Sequence, residues 1–273
     1  MIGKAVALLF LAATLPPAAE EEIRAWFETV GERRPGESFG ELSTRAAKLK
    51  LGVPYDRTPQ REGPETLEVN LEALHCVSLV EYADAIARCI WSNQPSPACF
   101  AAEVEETRYR DGSLADYASR LHYFTDWLND NQRRRRLRSL VEDQAILREP
   151  YFFMTRHPAS YPALKDRQTA ASIAEVERRL SDTDVRYVPR AEVSEFQSLL
   201  QTGDIVAFIT RKPGLLVTHT GYIIRDAAGK PRLLHASSHN GRVVLSRGDL
   251  ADYVLRRPER RGIIVARPLA PKG

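Results

Sequence analysis

Past its first twenty residues this sequence has no apolar stretch long enough to cross a bilayer, so the mature chain carries no stable helical membrane span. It also lacks an excess of either charge. With 39 Lys and Arg against 36 Asp and Glu, the net charge of +3 is far from a nucleic-acid-binding profile. Nothing repeats and nothing is of low complexity, which excludes solenoids and arrays. No tight His-x-x-x-His spacing with carboxylate partners occurs, so no metal site and no cofactor is expected. Cysteine is scarce. Of the three, Cys89 and Cys99 flank a turn-rich stretch just after a helix. In an oxidising compartment they either close a short loop and leave Cys76 free, or remain two buried thiols.

What is present begins with a leader. Met1–Lys4 is a short basic start, Ala5 to Leu15 is apolar, and Pro16-Pro17-Ala18-Ala19 breaks the run before Glu20-Glu21-Glu22. This fits a signal peptide over residues 1–19, although no clean Ala-x-Ala precedes Glu20, and implies export. Residues 20–273 then form a single domain, helical over about 20–182 and β-rich over about 183–273.

Apolar residues at helical spacing predict helices through Ile23–Val30, Phe39–Leu49, Cys76–Ile90 and Ile173–Leu180, and mostly helix from about Ala98 to Asp143. Thr66 to Leu71 alternates like a short strand. From about Val185 the runs Ile205–Ile209, Leu215–Ile224, Leu233–Ala236, Val243–Leu245 and Ile263–Ala266 read as strands between turns, interrupted only by a helix near Leu250–Leu255. Helices first and strands later give an α+β fold. The run Arg133–Arg136 reads as a solvated helix face.

Cys76 heads a buried helix. Unpaired N–H groups at a helix start favour a thiolate and can hold a developing oxyanion. A nucleophilic thiol also needs a base and a group that orients the base. His219 and His235 lie on two strands joined by the turn Arg225–Gly229, and in a hairpin they would stand side by side, as base and orienter.

At these residues the chain resembles a known group. Cys76 on its helix, Gly203-Asp204-Ile205-Val206-Ala207-Phe208, His219-Thr220-Gly221 and His235-Ala236-Ser237 are similar in order to the NlpC/P60 superfamily of papain-like cell-wall hydrolases. Leu51–Tyr55, Val69–Glu81, Arg108–Gly112, Tyr117–Phe124 with Asp126-Trp127, and Leu250–Tyr253 resemble its N-acetylmuramoyl-L-alanine amidase-like branch, from about Glu41 to Pro268. The resemblance implies a papain-like arrangement, with the nucleophile helix packed on an antiparallel sheet or half-barrel. It implies a periplasmic enzyme that cuts between N-acetylmuramic acid and L-alanine, on the anhydro-sugar ends of peptidoglycan fragments. Cys76 would attack, His219 move the proton and His235 orient it, with the N–H of Cys76 and the hydroxyl of Tyr55 as oxyanion donors. Arg120, His122, Tyr123, Asp126 and Trp127 would line the sugar and peptide subsites. One position departs: His75 stands where the branch usually has Asp, and imidazole caps a helix less well, though a cationic His75 would favour the thiolate.

Three other readings compete. One is an endopeptidase cutting γ-D-glutamyl-diamino acid bonds. Another is a zinc amidase using Cys76, His219, His235 and His239, and the third is a wall-binding module without activity.

Overall fold

In the computed structural model, which describes residues 15–58 and 63–272, helices precede strands as the sequence suggests. Most of the expected leader lies outside those residues, and no helix among the described ones is long and apolar enough to cross a membrane. α1 (Pro17–Val30) begins three residues before the expected mature start at Glu20 and buries Ile23, Trp26, Phe27 and Val30 on one face. α2 (Phe39–Lys48) opens on a capping box between Ser38 and Glu41. α3 (Cys76–Trp91) is buried continuously from Ser78 to Ile90. α4 (Pro97–Arg108) folds back along it and is tied to it by a Cys89–Cys99 disulfide, so Cys76 is the free thiol.

A helix buried on all sides must satisfy any charge it carries. Glu81 of α3 binds Arg108 at 2.8 Å, and Asp84 binds Arg88 of the next turn. Arg88 also donates to the carbonyls of Arg136 and Leu269, and Arg136 binds Glu103 at 2.7 Å. The arginine run is therefore only partly a solvated face. Arg133 and Arg134 pair with Asp130, and Arg136 is buried in the ion network.

The chain continues through α5 (Phe124–Arg133), β1 (Leu137–Ser139), β2 (Ala145–Leu147), α6 (Phe153–Arg156), α7 (Arg167–Ser181), β3 (Val185–Pro189) and α8 (Val193–Phe196). It ends with β4 (Ile205–Thr210), β5 (Val217–Arg225), β6 (Pro231–Ser237), β7 (Arg242–Leu245), α9 (Leu250–Leu255) and β8 (Arg260–Pro268). The strands form one antiparallel sheet in the order β2-β3-β8-β4-β5-β6-β7, with β1 added on β8. α3 lies on it, and the buried Tyr222 hydroxyl of β5 donates to the Val80 carbonyl at 2.9 Å. Gly203, at φ +97°, leads into β4 against α2, where a Cβ would lie 2.2 Å from the Gly40 Cα. Next to it, buried Asp204 accepts a bidentate pair from Arg267 at 2.6 and 2.9 Å.

Two expectations need correction. Thr66–Leu71 pairs with no strand among the described residues. Arg108 takes the Glu68 carbonyl, the Tyr109 hydroxyl takes that of Thr66, and the Tyr82 hydroxyl accepts the Asn70 N–H, so side chains occupy the groups a ladder would use. The stretch from Ala98 to Asp143 is mostly helical as expected, with the three-residue strand β1 after its last helix. α8, a single turn, joins α9 as a second helix within the β-rich part.

Candidate active site

The chain enters α3 through His75, an extended N-cap. Its Nδ1 accepts from the Ser78 N–H at 3.1 Å while Ser78 Oγ accepts from the His75 N–H at 3.0 Å, a capping box built on imidazole. A nitrogen that accepts carries no proton. Burial, with the cations Arg108 and Arg120 nearby, holds His75 down to about 4. It is an uncharged cap, which corrects the alternative of a cation supporting a thiolate.

Cys76 follows as the first residue of the helix and is partly exposed. The N–H groups of Thr220, Val77 and Cys76 itself face its sulfur and favour a thiolate, but burial outweighs them and pushes the thiol up. At rest the group is a thiol. Thr220 reaches it because the β5–β6 ladder stops at Tyr222–Leu234. Between that pair and the sulfur sits Gly221, where a Cβ would come within 2.6 Å of the Leu234 carbonyl and 2.9 Å of His235 Cβ. Only glycine lets the two strands carry their histidines this close.

His219 Nε2 and His235 Nδ1 are 2.7 Å apart, with the rings near perpendicular at 81°. At that distance one nitrogen donates and the other accepts, so a single proton is held between them. The Phe208 ring stacks on His219 at 5.8 Å, and Tyr253 of α9 closes the other side, 5.2 Å from His235. Burial lowers both imidazoles. His235 falls to about 4, aided by the Arg260 cation, and His219 lies well below its ordinary value, with His235 and Arg260 adding to the effect.

Tyr55 arrives on the turn from Leu51, which bridges to β7 at Arg242 and to Leu74 just before the N-cap. Burial and the neighbouring Cys76 raise its phenol. Beyond His75, Arg120 is half-buried and binds Glu65 at 3.3 Å. His122 donates from Nε2 to the Tyr117 carbonyl at 2.8 Å and lies 4.3 Å from the Tyr117 ring. Burial and Arg120 bring it down to about 3.

The other three expected subsite residues are elsewhere. Tyr123 is buried, and its hydroxyl donates to Glu177 at 2.6 Å. Asp126 is buried and clamped between Arg110 and Arg179, below a cleft of about 290 Å³ rimmed by further ion pairs. Trp127 is buried against Phe124 with ring centroids 4.8 Å apart. They hold α5 to α7 and to the turn at Met154, with Tyr123 and Trp127 turned into the core. Residues that sequence reasoning passed over are the Thr220 amide, which no side-chain pattern reveals, and Tyr253 and Arg260, which meet the histidines only through the fold.

No curated protein matches this sequence. A crystal structure of an N-acetylmuramoyl-L-alanine amidase from Bacteroides uniformis superposes with a TM-score of 0.78 at 31% identity, covering 84% of this chain and 98% of that one. A Bacteroides fragilis protein put forward as a xylanase gives 0.75 at 32% identity, over 81% and 98%. A Legionella pneumophila protein, 20% identical with a TM-score of 0.68 over 93% and 96%, shares the fold. The profile of the N-acetylmuramoyl-L-alanine amidase-like family matches residues 46–263, so the chain belongs to that family.

Proposed function

We propose that the chain is a cysteine amidase that frees the stem peptide from N-acetylmuramic acid at the anhydro-sugar ends of peptidoglycan fragments. It would act in the papain-like manner of the NlpC/P60 superfamily. The observation that carries this reading is the 2.7 Å contact between His219 and His235, with the next residue, Thr220, turning its N–H to a free thiol at a helix start.

The productive tautomer follows from proton counting. His219 donates its Nε2 proton to His235 Nδ1, which leaves His219 Nδ1 unprotonated to take the Cys76 proton. The sulfur then attacks the lactyl carbonyl, and the oxygen becomes an anion that the Cys76 N–H and the Tyr55 hydroxyl stabilise. As the C–N bond breaks, His219 returns the proton to the departing L-alanine amine. Water, deprotonated by His219, cleaves the thioester and restores the thiol. A thiol raised by burial beside an imidazole lowered by burial means that the proton moves during attack, not before it. His235 is neutral, so it orients His219 but stabilises the imidazolium less than a carboxylate would.

Arg120 and His122 are the remaining candidates for polar contacts to sugar and peptide. A wall substrate requires export, which the leader would direct to the periplasm, and a disulfide suits an oxidising compartment. The rival endopeptidase would use the same thiol on a different carbonyl. Zinc hydrolysis is less well supported: His239 is exposed in the turn between β6 and β7, and among the described residues no three ligating side chains converge. Against a relic that only binds wall, His75 keeps the helix start capped without the family's usual Asp. Mass analysis of products from a defined anhydro-muropeptide tests the reading. Release of the whole stem peptide with a free L-alanine amine supports it, and a sugar still bearing L-Ala-D-Glu refutes it.

A further inference from the structure

The imidazole pair shares its wall with a cation that forms no salt bridge among the described residues. Arg260, the first residue of β8, lies over the Tyr253 ring at 3.9 Å and the Phe208 ring at 5.1 Å, the same rings that pack on His235 and His219. Its Nη1 donates to the Tyr253 carbonyl, which fixes the side chain against α9. The nearby acids are already engaged: Glu259 with Arg257 at 3.8 Å and Asp252 with Arg256 at 3.7 Å. Among the described residues Arg260 makes no ion pair; its half-buried guanidinium also meets the Tyr253 side chain. A planar donor fork held on two aromatic faces, desolvated yet unpaired, is a built receptor for a carboxylate.

The geometry points to Arg260 as the anchor for a carboxylate of the stem peptide, seated beside the Cys76–His219 centre. This rests on the amidase reading for its ligand: a γ-linked D-glutamate keeps its α-carboxylate free, two residues from the bond to be cut. Binding there has a consequence for the base. His219 faces His235, Tyr253, Arg260 and the strand that meets Cys76, while His235 faces His219, Tyr253 and Arg260. Arg260 is, among the described residues, the cation common to both sets, and it makes each imidazole harder to protonate. A bound carboxylate cancels that charge, so His219 becomes a stronger base once substrate is in place.

The test uses the full chain carrying Cys76→Ala, which removes turnover from the measurement. Two anhydro-muropeptides are titrated by calorimetry, one with D-glutamate and one with D-isoglutamine, which has a carboxamide in place of that carboxylate. The acid should bind at least about tenfold tighter. Arg260→Met in the same background should abolish the preference, and Arg260→Lys should keep part of it. In the chain with Cys76 intact, Arg260→Met should also move the acid limb of kcat/KM to higher pH. Equal affinity for acid and amide, or a preference that survives Arg260→Met, overturns the assignment; if that variant does not fold, a full preference in Arg260→Lys overturns the need for a planar fork. Binding and turnover fail separately. A preference that tracks Arg260 without hydrolysis of either ligand sinks the amidase and keeps the subsite, whereas hydrolysis without preference does the reverse.

Discussion

Over its last three turns α3 pairs the charges it buries, whereas its first turn aims donors at one sulfur and pairs it with nothing. Glu81, Asp84 and Arg88 are matched by Arg108, by each other and by main-chain carbonyls, and only Asp84 Oδ1 and Arg136 Nε are left over in that network. Cys76 meets three N–H groups, and its N-cap neighbour His75 is neutral and adds no positive charge. On the proposed mechanism, stability is held at one end of the helix and reactivity at the other. Separating them lets the thiol be replaced without loosening the helix that carries it.

The sharpest way to break this comparison is to cut both ends. Cys76→Ala should lower turnover of an anhydro-muropeptide by about 10⁴-fold or more, yet change unfolding free energy by less than about 1 kcal/mol. Arg88→Met takes the direct partner from buried Asp84 and leaves it Arg136 at 3.8 Å, so it should cost about 3 kcal/mol in a urea titration while leaving turnover per folded molecule near the parent value. A loss of stability in the first variant, or of activity alone in the second, would mean that the ends are not independent.

A smaller effect separates the two histidines. His219→Ala should reduce kcat by about 10³-fold, and His235→Ala by about 10- to 10²-fold, because an orienter adjusts a group that still acts without it. Equal losses would make the pair a unit in which neither has the lesser role.

Acid should divide activity from stability. The proposed mechanism needs neutral imidazoles, and His235 protonates only as the pH falls through about 4, so kcat/KM should hold from neutral pH down to about 5. Folding behaves otherwise. His75 and His235 sit near 4 and His122 near 3 in the native chain, below the ordinary 6.5, so the unfolded chain binds more protons in between. Stability is therefore fully present above about 6.5 and declines as the pH falls through about 4. Paired pH-rate and thermal melts check this; a rate that fails near 6.5 would contradict the lowered imidazoles. The smallest effect belongs to the cap: His75→Ala should cost about 1 kcal/mol, and His75→Asp should recover it, as read by urea midpoint.

The β-rich part was legible because its strands are apolar runs cut by Gly and Asp turns, and β4 to β8 fall where those runs stand. The thiol at a helix start and the two histidines on one hairpin were legible for the same reason: each depends on local pattern. The helical part was less so. Tyr123, Asp126 and Trp127 stand together in sequence like a binding motif, yet their partners Glu177, Arg179 and Phe124 are supplied by packing, and a helix turns all three inward. Thr66–Leu71 has a strand's alternation, but its backbone is taken by Arg108, Tyr109 and Tyr82. β1 and β2 are three residues each, too short for a period to show. Arg260 lies in an arginine-rich turn, and nothing in sequence sets it apart from Arg256 or Arg257.

The central claim, that Cys76 attacks the lactyl carbonyl, is tested most directly by intact-mass spectrometry of the chain quenched in acid during turnover of an anhydro-muropeptide. His235→Ala, slowed in proton transfer, gives the adduct time to accumulate. The predicted result is one added anhydro-N-acetylmuramoyl group, mapped to Cys76 as a thioester and absent from Cys76→Ala. An adduct that carries L-Ala-D-Glu, or product formed with no adduct and undiminished in Cys76→Ala, would contradict it.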